Sequence, residues 1–281
     1  MAVSPLRHTS RARALAYGLG SIVLSCLLAL GSASAQPPPG QAPAAQTAPP
    51  VKLTAALTPE RLDRGTTVHV GFQIRPRPGE SVSPVSSIDI RYPHGLGLAS
   101  SDLGVESCTP ARLQGGGPSA CPIDSLMGRG SAVVQVALNN ETLSEQGRVT
   151  VVSAPVQNGH LALLYFVSGD LPVLARLVLP GLVLPTALPF GGLLETTVAP
   201  VLSVPEGPDV ALTQMQTTLG PNGLIYKERR GGKTVFFRPE GILLPPSCPR
   251  GGFPFSVRLR YQDGASSTAH TTVPCPRSAR H

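Results

Sequence analysis

The sequence predicts an all-β protein, an immunoglobulin-like β-sandwich of about a dozen antiparallel strands. Three observations carry that expectation. Apolar residues recur with strand alternation, as in Thr66–Ile74 (TTVHVGFQI), where Val68, Val70, Phe72 and Ile74 share one face. Gly, Pro, Asn and Asp punctuate these runs, and 30 Gly and 31 Pro in 281 residues supply the breaks. The last four runs pair off as two hairpins, through Gly231-Gly232 and Asp263-Gly264, dipeptides that provide the positive φ angles of tight turns.

Before the first strand come two segments of a different kind. Arg7, His8, Arg11 and Arg13 form a positive flank, Ala14–Gly31 an apolar run, and Ala33-Ser34-Ala35 a small-x-small cleavage site. Residues 1–35 therefore read as a signal peptide, which predicts a chain secreted or held at the cell surface. An uncleaved anchor fits less well, because no positive flank follows the apolar run. Acylation at Cys26 also fits less well, because the run continues as Leu27–Leu30. Residues 36–50 (QPPPGQAPAAQTAPP) cannot bury a core and read as an extended linker. The domain is then 51–276, with a short basic tail at 277–281. No membrane span is expected after signal removal.

Within the domain the expected strands follow in order: Val51–Ala55, Thr66–Ile74, Ser87–Tyr92, Ala132–Leu138, Arg148–Ala154, His160–Val167, Val173–Leu179, Leu193–Ala199, Val210–Thr218, Leu224–Arg229, Thr234–Arg238, Phe255–Tyr261 and Ser266–Val273. One helical turn is expected near 109–114. Thr109 is its cap, Pro110 its first residue and Gly115 its stop. A single sandwich is the leading arrangement, and two lobes split near Asn139–Glu145 are the alternative. Leu161–Leu194 is the most apolar part of the chain, yet Asp170, Arg176 and Pro172, Pro180, Pro185 and Pro189 interrupt it. Buried strands joined by proline-marked turns fit it better than a spanning helix. Apolar loops around Pro180–Pro189 are the first expectation for a contact surface.

Charge excludes some partners. The full chain carries +7, and losing the three signal-peptide arginines leaves 20 basic against 16 acidic residues, or +4. Aromatics are 4% and Trp is absent, so base-stacking platforms have little to build with and no nucleic acid is expected.

The chemistry-bearing residues do not converge. Four cysteines remain in the domain: Cys108, Cys121, Cys248 and Cys275. An even count in an exported chain reads as disulfides, with Cys108–Cys121 favoured by its short, Gly-rich loop and Cys248–Cys275 left over. Neither spacing suits the C-x₂₋₄-C pairs of zinc sites. His69, His94, His160 and His270 form no metal-ligand pattern, and no G-x-S-x-G elbow marks a nucleophile. Gly231-Gly232-Lys233-Thr234 ends like a phosphate loop, but Lys227 stands where the first glycine is required. It reads as a hairpin turn, and Glu228-Arg229-Arg230 as a solvated edge-strand charge cluster. No catalytic residue, cofactor or metal is called for.

The segments Tyr92-Pro93-x-Gly95-Leu96, Cys108, Cys121-Pro122, Ser125-x-Met127-Gly128-x-Gly130-x-Ala132 and Cys248–Phe255 resemble stretches of uncharacterised secreted β-rich proteins of high-GC actinobacteria. That resemblance implies an exported, disulfide-stapled β protein and no activity. The functional expectation is a non-catalytic binding or structural protein of the envelope or medium, its partner a cell-envelope polymer or another surface protein. The alternative is a secreted hydrolase or carbohydrate-active enzyme whose site is assembled from distant loops.

Overall fold

Alternation decides which way each strand faces, and pairing then carries that choice from strand to strand. A computed structural model of the chain describes residues 48–77, 80–98, 100–138, 141–169, 176–200 and 210–276. The chain divides into two compact units, Met1–Ala44 and Ala45–His281, and every described residue belongs to the second. The expected signal peptide at 1–35, the start of the expected linker and the tail at 277–281 lie outside the described residues.

The strands are β1 (Val51–Thr58), β2 (Gly65–Ile74), β3 (Val85–Pro93), β4 (Leu126–Leu138), β5 (Glu141–Gln157), β6 (His160–Gly169) and β7 (Arg176–Leu184), followed by β8 (Phe190–Thr197), β9 (Val210–Leu219), β10 (Tyr226–Arg230), β11 (Lys233–Phe237), β12 (Ile242–Leu243), β13 (Phe253–Tyr261) and β14 (Ser266–Val273). One helix, α1 (Pro110–Gly116), and two short 3-10 turns lie between β3 and β4. Twelve strands form one antiparallel sheet in the order β1-β2-β9-β4-β5-β6-β7-β8-β3-β13-β14, with β12 pairing β2 off this path. Its two ends come together: β14 packs beside β1, and the Ser267 hydroxyl donates to the Pro49 carbonyl. The result is a barrel-like sandwich. The two edge strands of the main sheet, β1 and β14, thus lie side by side, which shields the edges an open sheet would expose. Linker residues Pro49 and Pro50 already belong to this fold, since the Pro50 carbonyl accepts from the Arg75 N–H at 2.9 Å.

One register row shows how the interior is built. Ala55, Val70, Thr217, Gly130, Val149, Val167 and Leu177 are consecutive partners across β1, β2, β9, β4, β5, β6 and β7. The opposite wall contributes Leu194, Ile90, Val257 and Ala269 from β8, β3, β13 and β14. Inward glycines let strands approach. A Cβ at Gly130 would stand 2.0 Å from the Gln216 carbonyl oxygen of β9.

β6 is buried on both faces from Ala162 to Phe166. One face meets the interior. The other lies beneath the stapled excursion between β3 and β4, whose Leu113 is fully buried and whose helix α1 contacts β6 and β7. This double burial accounts for the continuous apolar run in the sequence.

Several boundaries differ from expectation. β4 and β5 are longer and pair from Leu138↔Glu141 onward, so the chain does not split into two lobes near Asn139–Glu145. Helix α1 runs to Gly116 rather than stopping at Gly115, and Gly117 at φ +67 ends it. Thr109 caps it as read, accepting from the Arg112 N–H at 3.4 Å. In the β13–β14 turn only Gly264 takes a positive φ. Asp263 instead accepts from the Ala265 N–H at 2.9 Å, making a longer, side-chain-braced loop. The segment Pro180–Leu184 is not a loop but the second half of β7, paired to β6 and β8. Pro180 is tolerated there because the β7–β8 register begins one residue later, at Gly181.

Candidate functional site

The four cysteines stand in two pairs at disulfide distance. Cys108 and Cys121 have a Cα–Cα separation of 5.3 Å, and Cys248 and Cys275 one of 5.9 Å. The surroundings of the first pair are structural. The Cys108 N–H donates to the Ser153 carbonyl of β5 at 2.8 Å, and Arg112 donates to the Ala120 carbonyl at 2.6 Å. Gln114 reaches the Arg176 carbonyl of β7 at 3.2 Å. The loop is thus a tied-down cover over β5–β7.

The barrel interior offers little room. A cavity of about 50 Å³ lies between the walls, lined by Val70, Ile90, Tyr165, Thr217 and Phe255 among others. That is about a third of the ~150 Å³ apolar cavity known to admit benzene. The interior is a packed core, and burial alone pushes the Tyr165 phenol well above its ordinary range.

The histidines are scattered. His69 on β2 lies in a shallow outer groove of about 210 Å³ over β1, β2 and β9, where its Nδ1 is 3.1 Å from the Thr218 hydroxyl. The groove is lined by Thr54, Ala56, Gly71 and Gln216 besides these, and no carboxylate lines it. His270 is exposed on β14, His94 sits in the turn after β3, and His160 opens β6. Among the described residues no group of three or more His, Cys, Asp or Glu side chains could hold a metal ion. Three carboxylates are buried among the described residues: Asp89, Asp124 and Glu145. Asp89 on β3, 3% exposed, accepts from Arg260 at 2.8 Å, and Arg260 also donates to the Ser87 hydroxyl at 2.8 Å. Glu145 on β5 has no hydrogen-bond partner for either oxygen among the described residues. None of the three hydrogen-bonds a histidine among the described residues.

The apolar-loop expectation fails for the first half of Pro180–Pro189, which is strand, and holds for the second half. Only the short turn before β8 remains, with Leu188 exposed. A different element presents the apolar and charged surface. β10 and β11 form a separate two-stranded sheet outside the main wall, turning at Gly231 and Gly232 with φ of +56 and +80. The turn reading of Gly-Gly-Lys-Thr therefore describes the geometry.

Tyr226 fixes the base of this hairpin. It is fully buried, its ring meets Phe237 edge-to-face at 5.7 Å, and its hydroxyl donates to the Leu126 carbonyl while accepting from the Gly104 N–H at 3.1 Å. The Lys227 N–H is held by the Asp124 carboxylate at 2.9 Å. Burial, with the negative charges of Asp102 and Asp124 adding to it and the Gly104 N–H opposing it, pushes the Tyr226 phenol up to about 12.

Alternation sends Tyr226 and Phe237 to one face. Lys227, Arg229, Thr234 and Phe236 take the other, and all four are exposed. Phe236 is 69% exposed and the flanking Ile225 53%. Glu228 belongs to the Tyr226 face, so the outward strand positions hold no acidic residue. From Ile225 to Arg238 there are five basic residues and one acidic residue. From Gln36 onward the rest of the chain balances at fifteen of each, so this hairpin carries the net +4 of Gln36–His281, against +7 for the full chain.

The sequence contained this signal in Lys227-Glu228-Arg229-Arg230, read as a solvated edge. Phe236 and Ile225 gave no warning, because whether they are buried depends on whether another sheet covers the hairpin. No helix among the described residues is long and apolar enough to cross a membrane. No protein-family model, curated protein or solved structure matches this chain.

Proposed function

We propose that this chain is an exported, non-catalytic binding protein of the cell surface or medium, and that it binds through the outward face of the β10–β11 hairpin. One observation carries the reading. On a chain whose remaining sequence from Gln36 onward balances in charge and whose interior is filled, a rigidly based hairpin concentrates positive charge beside exposed Phe236 and Ile225. Isolated two-stranded hairpins are marginal in water. The buried Tyr226 anchor offsets that marginality, and it makes sense if the exposed face is held in place for a partner. The two cysteine pairs at disulfide distance support the exported setting.

The hydrolase alternative rests on His69 and Thr218. That pair has a base and a hydroxyl in reach, but among the described residues no carboxylate lines the groove to orient the imidazole.

The test is cell fractionation of the wild-type protein and the triple variant Lys227→Glu/Arg229→Glu/Phe236→Ser, with folding checked by circular dichroism. The variant should shift from the envelope fraction to the medium by about tenfold or more, from charge reversal and loss of the apolar contact together. An unchanged distribution refutes the hairpin as the contact face. Labelling of the wild type by a serine-hydrolase probe refutes the non-catalytic reading.

A further inference from the structure

We infer that the partner of this hairpin is an anionic lipid surface, on which the hairpin lies with its Phe236 face down. The inference rests on the hairpin being the contact face and goes beyond it by naming the occupant.

The composition of that single face carries the argument. Lys227 and Phe236 are direct cross-strand partners, and so are Arg229 and Thr234. Ile225 and Arg238 flank these pairs at the base and are both exposed. Cations therefore bracket the apolar side chains within one pleated surface.

A bilayer with anionic headgroups offers both halves of the complement. The headgroups attract the lysine and arginines, and the headgroup–acyl boundary accepts phenylalanine and isoleucine. A soluble polyanion offers only the first half, and Phe236 and Ile225 would stay in water against it. An acidic protein partner would need an apolar pocket opposite Phe236 and a matching row of carboxylates. The bilayer needs neither, because its two layers are already stacked in the order this face presents.

The geometry permits the contact. Five-residue strands extend roughly 15 Å at ~3.3 Å per residue, and no strand of the main sheet pairs with either of them among the described residues. The Tyr226 and Phe237 rings occupy the opposite face and hold it to the body at Leu126 and Gly104. Glu228, the one acidic residue of the segment, lies on that opposite face and would not meet the headgroups.

The experiment is vesicle co-sedimentation of the purified protein. It uses phosphatidylcholine vesicles with and without about 30% phosphatidylglycerol, and dextran sulfate as soluble polyanion. Wild type is compared with Lys227→Glu/Arg229→Glu, with Phe236→Ser and with Arg258→Glu as a charge control on the barrel wall. Each basic side chain near such a surface contributes about fivefold to partitioning. The double reversal should therefore weaken binding to anionic vesicles by well over twentyfold. Phe236→Ser should weaken it about tenfold, and Arg258→Glu by less than fivefold. Binding should also fall steeply with added salt.

Three results overturn the inference. If wild type binds dextran sulfate as tightly as anionic vesicles and Phe236→Ser changes neither, the partner is a polyanionic polymer, and only the contact-face reading survives. If wild type sediments as a dimer that Phe236→Ser dissociates, with no vesicle binding, the face pairs with a second copy. If the hairpin variants bind every probe as wild type does, both readings fail together.

Discussion

Replacing Tyr226 with Phe removes one oxygen and keeps the ring, so the anchor of the β10–β11 hairpin can be tested almost alone. In the native fold that hydroxyl donates to the Leu126 carbonyl and accepts from the Gly104 N–H at 3.1 Å. Leu126 lies at the irregularity between Leu126 and Gly128, where the β4–β5 ladder slips register. A carbonyl at such a slip depends on a partner from outside the ladder. Tyr226→Phe leaves it and the Gly104 N–H without their partner, and a buried group so orphaned costs about 1–3 kcal/mol. Freedom from burying the hydroxyl itself offsets part of this. The net loss should be about 2–3 kcal/mol, which for a domain of this size lowers Tm by about 5–10 °C. Ring packing against Phe237 at 5.7 Å is unaffected, so Tyr226→Ala should cost more, about 3–5 kcal/mol. Differential scanning calorimetry measures both. Amide exchange across Lys227–Phe237 should accelerate in Tyr226→Phe by more than in β13. A Tm within 1 °C of wild type, or uniform acceleration across the barrel, would show that the hydroxyl does not hold the hairpin base.

The other expectations concern the barrel. Cysteine pairs 13 and 27 residues apart in sequence should each contribute about 2–4 kcal/mol as closed loops. Reduction should lower Tm in two separable steps, and non-reducing peptide mapping that finds four free thiols would refute both pairings. Arg260→Leu leaves the buried Asp89 carboxylate unpaired. Arg260 is itself 43% exposed, so the loss should be about 2–3 kcal/mol rather than the full buried-pair figure. Urea denaturation should show Asp89→Leu/Arg260→Leu recovering part of that loss, and an additive double variant would contradict the pairing. Burial raises the phenols of Tyr92, Tyr165, Tyr226 and Tyr261. A raised phenol favours the protonated folded form, so stability is intact below about pH 10 and falls as pH rises through about 12, the native value of Tyr226. With no Trp in the chain, absorbance at 295 nm reads tyrosinate directly. Native titration of all four near pH 10 would exclude this burial.

Local pattern alone specified the all-β class, most of the strands and the staples, but not β12 or the second half of β7. Period-two alternation in segments such as Thr66–Ile74 needs no partner to be read, because the pleat alone puts Val68, Val70, Phe72 and Ile74 on one side. Gly231-Gly232 and the Thr109-Pro110 cap are equally local, since backbone angles and a single side-chain hydrogen bond decide them. The cysteine pairing followed from loop length. What the tertiary structure alone decided is which strands neighbour one another and which apolar residues stay in water. The insertion of β9 between β2 and β4, and of β3 between β8 and β13, brings together residues far apart in sequence, and no local pattern specifies such pairings. The same dependence hid the candidate site. Phe236 and Val257 both sit in strands with apolar neighbours, yet Val257 is fully buried while Phe236 is 69% exposed. The difference is that a second wall faces β13 and none covers β11, and burial is a property of what lies opposite a residue rather than of the residue.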